Sequence, residues 1–203
     1  MEEIIIISLG GSLVIPEEID IDFLKDFKAL ILSYVAKGKK FVITVGGGKI
    51  CRKYQDAAKD LSSPSNEDLD WIGIASLKLN AELLRVIFGE YAHDRVISNL
   101  STHFCFERPI VIGSAYEPGQ STDWDCVLGA KTLGAKKIIN LSNTDYVYDS
   151  DPKINLNAKK IEQISWTDYR ALIPKEWNPG LNSPFDPVAS KMAEKGGMTV
   201  IIM

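Results

Sequence analysis

The chain has 203 residues, 45% hydrophobic and 25% charged, and its 23 Lys plus Arg against 27 Asp plus Glu give a formal net charge of −4. That length and apolar content can bury roughly 70% of the unfolded surface without disulfides or metals, and they exclude an intrinsically disordered chain. The acidic balance disfavours a nucleic-acid partner held on a basic surface, no apolar run approaches the ~20 residues that span a bilayer, and the start Met1-Glu2-Glu3 is unlike a signal or transit peptide.

In chain order, Ile4 to Ile7 reads as a short buried strand that runs into Gly10-Gly11. Asp20 to Lys37 reads as a helix, with Phe23, Leu24, Phe27, Leu30, Ile31, Tyr34 and Val35 at helical spacing and Gly38 as its stop. Phe41 to Val45 is a second strand, ended by Gly46-Gly47-Gly48. Lys49 to Leu61 follows as a helix, with Ile50, Tyr54, Ala57, Ala58 and Leu61 on its apolar side. After a turn over Ser62 to Asn66, Glu67 to Phe88 forms a long helix with Ile72, Leu79, Leu83 and Ile87 as the buried stripe.

Val96 to Phe106 combines a strand and a loop. Pro109 to Ile112 is a strand, Trp124 to Leu133 a helix, Lys137 to Leu141 a strand, and Asn143 to Asn157 a polar loop. Ser165 and Asp168 stand at capping-box spacing before a short helix. Pro174 to Pro184 is a loop, and Asp186-Pro187 opens a last helix that runs to Gly196-Gly197 before a strand over Met198 to Met203. Strands alternating with helices make an α/β fold with a mostly parallel sheet, without internal repeats or low-complexity linkers.

Most other chemistry-bearing residues read blandly. Cys51, Cys105 and Cys126 are far apart and odd in number, as expected of free thiols in a reducing cytosol. His93 and His103 lack metal-ligand spacing. Trp71, Trp124, Trp166 and Trp177 read as core or interface anchors, and the lysine-rich pieces 37–40 and 159–160 as solvated surface.

The informative segments are four loops at the carboxyl ends of strands, where open α/β sheets bind ligands. The first is Ser8-Leu9-Gly10-Gly11-Ser12 and the second is Val45-Gly46-Gly47-Gly48-Lys49. Glycines there admit close approach to a phosphate, and helix N-termini add N–H donors and positive dipole. Lys49 and Arg52 in the first helical turn oppose that dipole unless a polyanion lies between them. Neither loop fits GxxxxGK[ST], and Cys51 stands where GxGxxG needs glycine, so a P-loop or Rossmann site is not supported. The third loop, Gly113 to Asp123, offers Ser121 and Thr122 as helix caps or as an anion cradle. The fourth, Asn140 to Lys153, is polar and aromatic; there Tyr148 could pack on a purine and Asp151 accept from ribose or base donors.

Taken together, SLGGSLV from Ser8, VGGGKICRKY from Val45, DWIGIASLKLNAELL from Asp70, EPGQSTDWDCVLGAKTLGA from Glu117, NLSNTDYVYDSDPK from Asn140 and FDPVASKMAEKGG from Phe185 resemble the amino acid kinase superfamily, most closely its archaeal-type uridylate kinases. The resemblance spans nearly the whole chain. It implies a three-layer αβα sandwich over one domain, residues 1–203, with the acceptor side and glycine loops in the N-terminal part and the ATP side from about residue 135 on. It also implies the reaction ATP + UMP → ADP + UDP in the cytoplasm, without a nucleic-acid or membrane partner, and a homo-oligomer, expected to be a hexamer. By resemblance, Gly11, Ser12, Gly48, Arg52, Ser142, Asn143, Tyr148 and Asp151 would serve ATP. Gly47, Asp70, Tyr116, Glu117, Pro118, Gly119, Gln120, Ser121 and Thr122 would hold UMP, Asp70 at the ribose.

Phosphoryl transfer between two polyanions calls for converging positive charge rather than a strong base. Lys49 is the expected transition-state cation, Asp145 would orient lysines or metal, and Asp123 would fix the acceptor loop. Mg²⁺ is expected to arrive with ATP, with no protein ligands assigned. Ser8 stands where many superfamily members carry Lys, Tyr146 where Gly is usual after the Asp, and Tyr116 where a small hydroxyl residue is expected. Two other readings remain: a kinase of this fold with another phosphate or carboxylate acceptor, and a non-catalytic nucleotide-binding homologue.

Overall fold

The computed structural model describes residues 3–144, 146–150, 154–175 and 183–203. Five strands, β1 (Ile4–Leu9), β2 (Lys40–Val45), β3 (Ile110–Gly113), β4 (Lys137–Leu141) and, numbered by chain order, β7 (Thr199–Ile202), form one wholly parallel sheet in the order β3-β2-β1-β4-β7. Their β-branched runs are buried because helices cover both faces, as a parallel sheet requires. One apolar cluster, with Leu9, Ile43, Phe27, Leu84 and Phe88, lies on one side, and a second, with Ile6, Val42, Val127, Tyr169 and Phe185, lies on the other. This is the αβα sandwich expected from the sequence.

The first glycine loop turns at once into a single helical turn, α1 (Gly11–Val14), before α2 (Ile21–Val35), which Asp20 caps by accepting from the Phe23 N–H. Gly38 ends that region with φ +80°, a backbone that side chains rarely adopt. The remaining helices are α3 (Gly48–Leu61), α4 (Asn66–Phe88), α5 (Thr122–Leu133), α6 (Trp166–Leu172) and α7 (Pro187–Lys195). Ser65 and Asp68 form a reciprocal capping box at the start of α4. Asp186 caps α7 by accepting from the Ala189 N–H at 2.6 Å, ahead of Pro187, an arrangement that contributes ~1 kcal/mol.

Several expectations are corrected. The 96–106 stretch holds no strand: it pairs with the sheet through an isolated bridge, Ile97 to Gly113, and packs against it through the buried Leu100. Two residues of the expected polar loop form β5 (Val147–Tyr148), which pairs antiparallel with β6 (Lys160–Ile161). On α4 the buried residues are Leu69, Ile74, Asn80, Ala81, Leu84 and Phe88, whereas Leu79 is 64% exposed and Ile72, Leu83 and Ile87 are half-buried. The helix is apolar on more than one side, so its periodicity alone could not tell which side meets the sheet. On α3 the expected stripe holds only in part: Ile50 packs against the core and Ala58 is half-buried, whereas Tyr54, Ala57 and Leu61 are exposed, and the buried residues are Gly48 and Gln55. Trp177 and most of the 174–184 loop lie outside the described residues.

Candidate active site

Because the five strands are parallel, their carboxyl ends share one edge. Leu9 pairs with Val45 and with Leu141, and Thr44 with Gly113. All four loops singled out in the sequence therefore leave the same rim. The chain runs outward from β1 through β2 to β3, then returns to β4 on the other side of β1. That reversal opens the crevice in which such sheets bind ligands.

The two glycine loops touch each other. A Cβ on Gly11 would lie 2.2 Å from the Gly48 nitrogen and 2.4 Å from the Gly46 oxygen, and one on Gly48 would lie 2.6 Å from the Gly11 oxygen. Gly48 also has φ +67°. These glycines are thus demanded by loop-to-loop contact before any ligand is considered. Further bonds hold the junction: the Gly46 N–H donates to the Leu9 carbonyl, Lys49 N–H to Ile15, and Gly10 N–H to Leu141. Ser12 follows in α1.

Lys49 sits in the first turn of α3, with its ammonium 3.0 Å from Glu17 Oε1 in the loop between α1 and α2; Lys53 lies 3.9 Å from the other oxygen. The Lys49 hydrogen bond holds the Glu17 carboxyl below the usual carboxylate range. Arg52 is exposed on the same helix.

Across the crevice, Asp70 near the start of α4 meets the loop that follows β3: its Oδ2 accepts from the Gly119 N–H at 2.7 Å. Partial burial raises its pKa, and that hydrogen bond works against the rise. Gly119 has φ +83°. Tyr116 and Pro118 are half-buried, Glu117 is exposed, and partial burial next to Glu117 raises the Tyr116 hydroxyl pKa. Ser121 caps α5 by accepting from the Trp124 N–H, and Thr122 is the first residue of that helix. Gln120, Ser121, Trp124 and Asp186 line a cleft of about 200 Å³ beside this loop.

Asp123 is a junction rather than an open carboxylate. Its Oδ1 accepts from Ser8 Oγ at 2.8 Å and from Asn140 Nδ2 at 3.1 Å, while Oδ2 accepts from the Asp186 N–H at 3.0 Å. One side chain thereby ties α5 to β1, β4 and the start of α7. Burial raises its pKa to about 6, against the lowering effect of those bonds. Asp125, one turn along α5 from the Ser121 cap, is 1% exposed; burial pushes it up to about 8, and its Oδ2 has no hydrogen-bond partner among the described residues. Beneath the junction, the buried Tyr169 hydroxyl donates to the Phe185 carbonyl at 2.6 Å and accepts from the Phe185 N–H at 2.7 Å, which positions Asp186.

At the β4 end of the rim, Ser142 follows β4 next to Gly10, and its hydroxyl both accepts from and donates to the Thr144 backbone. Asn143 is exposed, and Tyr148 lies in β5 with its ring edge-on to Tyr146, which Lys160 covers at 4.5 Å. Asp145 and Asp151 lie outside the described residues.

The structure thus gathers Gly11, Ser12, Gly47, Gly48, Lys49, Asp70, Gly119, Ser121, Thr122, Asp123 and Ser142 along one rim. Sequence reasoning missed Glu17, Asn80, Asp125 and Asn140 as parts of it. Only Asn80 left a signal, a lone amide inside the apolar run LKLNAELL.

Among the described residues no helix is long and apolar enough to cross a membrane. Residues 3–203 match the model of the amino acid kinase family. The chain is 34% identical over 203 residues to a protein of Thermococcus kodakarensis named uridylate kinase, covering 98% of this chain and 89% of that one. A uridylate kinase of Methanospirillum hungatei is 32% identical over 202 residues, covering 98% and 84%. The crystal structure of uridylate kinase from Archaeoglobus fulgidus superposes with TM-score 0.78 at 30% identity, covering 99% and 90%. Aspartate kinase from Synechocystis, at 17% identity and TM-score 0.75, shares the fold over 98% of this chain and 37% of its own. Fold, rim and full-length similarity agree that the chain belongs to the amino acid kinase family.

Proposed function

We propose that this chain is a uridylate kinase, transferring the γ-phosphoryl group of MgATP to UMP to give ADP and UDP in pyrimidine nucleotide biosynthesis. The observation that carries the reading is similarity over nearly the whole chain to proteins named uridylate kinase. That favours UMP over another acceptor and over a binding-only role. The convergence of four loops on one rim supports a reading in which two nucleotides bind there end to end.

A UMP phosphate oxygen attacks the γ-phosphorus while the bond to the ADP oxygen breaks. The acceptor oxygen is already anionic, so the residues' work is positioning and charge stabilisation. Gly11 and Ser12 with Gly48, Arg52, Ser142, Asn143, Tyr148 and Asp151 take the ATP side; Gly47, Asp70 and the Tyr116–Thr122 segment take UMP. Lys49 supplies positive charge between them. Its partner Glu17 sits on the surface, and exposed ion pairs are weak enough for a polyphosphate to displace the carboxylate. Asp123 holds the acceptor helix against Ser8, Asn140 and Asp186, and Asp145 orients lysines or the magnesium that enters with ATP.

The chain acts as one domain, in the cytoplasm where soluble nucleotides are, and as a homo-oligomer. Support for association comes from Trp71, Leu79 and Val86, exposed apolar side chains about two turns apart on α4. ADP release with MgATP and UMP, CMP, dUMP, GMP or AMP tests the activity. Selective turnover of UMP that collapses in Lys49→Ala is expected; turnover with none of them refutes the reading.

A further inference from the structure

The long helix α4 is fastened to both halves of the rim. Near its start, Asp70 accepts from the acceptor-loop Gly119 N–H. Ten residues and about 15 Å further along, Asn80 Nδ2 donates 2.8 Å to the Gly46 carbonyl. Asn80 is 1% exposed in a stripe otherwise made of Leu69, Ile74, Ala81, Leu84 and Phe88. An amide in such a stripe is costly unless its bond is made, and an apolar residue there would pack as well. Its bond falls where the two glycine loops are tightest, since Gly46 and Gly48 both abut Gly11.

We infer that Asn80 is a positioning residue for phosphoryl transfer: through the Gly46 carbonyl it sets the geometry of the Gly46–Gly48 loop and locks that loop to the helix that carries Asp70. This rests on the uridylate kinase reading of the rim. Asn80 is buried with its amide on the Gly46 carbonyl, so its loss acts on the transition state through the loop. Misplacement by a fraction of an ångström there lowers kcat more than it raises KM.

The test compares wild type, Asn80→Ala and Asn80→Asp in steady-state kinetics, thermal unfolding and hydrogen–deuterium exchange of the backbone amides of residues 46–50. Asn80→Ala is expected to lose about tenfold or more in kcat while KM for MgATP and UMP moves much less, at temperatures where it is fully folded. In Asn80→Asp an ionised carboxylate would face the Gly46 carbonyl, whereas the protonated acid can donate to it. Its activity relative to wild type should therefore rise as pH falls from 8 to 6. Glu17, Glu18, Glu82 and Lys53 line the groove beside Asn80 and are common to both proteins, so wild type at each pH is the reference.

A melting temperature that drops with kcat unchanged overturns the inference, as does an Asn80→Asp profile parallel to wild type. If Asn80→Ala does not accumulate folded, the Asn80→Asp profile decides. Wild type without UMP turnover refutes the function instead; exchange then decides the loop role, with faster exchange confined to residues 46–50 supporting it and unchanged exchange refuting it.

Discussion

Replacing Gly11 with alanine would put a methyl carbon 2.2 Å from the Gly48 nitrogen, 2.4 Å from the Gly46 oxygen and 2.5 Å from the Gly46 carbon. The shortest of these falls about 1.2 Å short of the 3.4 Å at which ordinary contact begins. All three atoms are backbone, so no side chain can swing aside and the two glycine loops must part. Overpacking of this kind costs about 1–3 kcal/mol. The kinetic effect is larger, because a displacement near 1 Å between groups that position the reactants costs on the order of a hundredfold in rate. The matched control is Gly38→Ala. Gly38 has φ +80° and open space within 4 Å of its Cβ position, so alanine there meets backbone strain of about 1–2 kcal/mol and nothing else. The assay is ADP release at saturating MgATP and UMP, with unfolding followed in parallel. Gly11→Ala should lose at least tenfold more kcat than Gly38→Ala at comparable loss of stability. Equal kcat in the two variants would refute the claim that loop contact sets the site's geometry.

Asp125→Asn should flatten the pH dependence of stability. The native pKa of Asp125 is raised to about 8, so its neutral form is favoured in the fold and stability falls as pH rises from about 4 through about 8. Urea unfolding should show the variant gaining on wild type across that window, by an amount on the order of a few kcal/mol at the alkaline end; parallel curves would remove Asp125 as a buried, uncompensated acid. Tyr169→Phe leaves the Phe185 carbonyl and N–H without the hydroxyl that serves both, and should cost about 1–3 kcal/mol in denaturant unfolding. Unchanged stability would mean that another group serves them. Asp70→Ala removes the carboxylate that holds the Gly119 N–H and should raise KM for UMP while leaving KM for MgATP near wild type; equal effects on both would place Asp70 outside the acceptor side.

Much of this molecule was legible because its signals are local. Gly10-Gly11 and Gly46-Gly47-Gly48 follow β-branched runs, Ser121, Ser165 and Asp186 stand at cap positions, and Gly38 takes a positive φ where a stop was expected. These depend on residues a few positions apart, so the linear order of the five sheet strands, the longer helices and the rim loops follows from the amino-acid order. Six motifs in the right sequence also sufficed for the family.

What the tertiary structure alone decided is non-local. The buried face of α4 depended on which side meets the sheet, and a helix apolar on more than one side leaves that open: Leu79 went outward, Asn80 inward. Ser8 lies 115 residues from the Asp123 it bonds, and Asn80 lies 34 from Gly46. Such pairs have no spacing that a linear reading can detect. The glycines, too, changed meaning in three dimensions. Read as openings for a phosphate, Gly11, Gly46 and Gly48 are first the places where two backbones meet with no room for a Cβ. Chain order determines which groups stand at the ends of the strands; only packing across the sheet determines which of them touch.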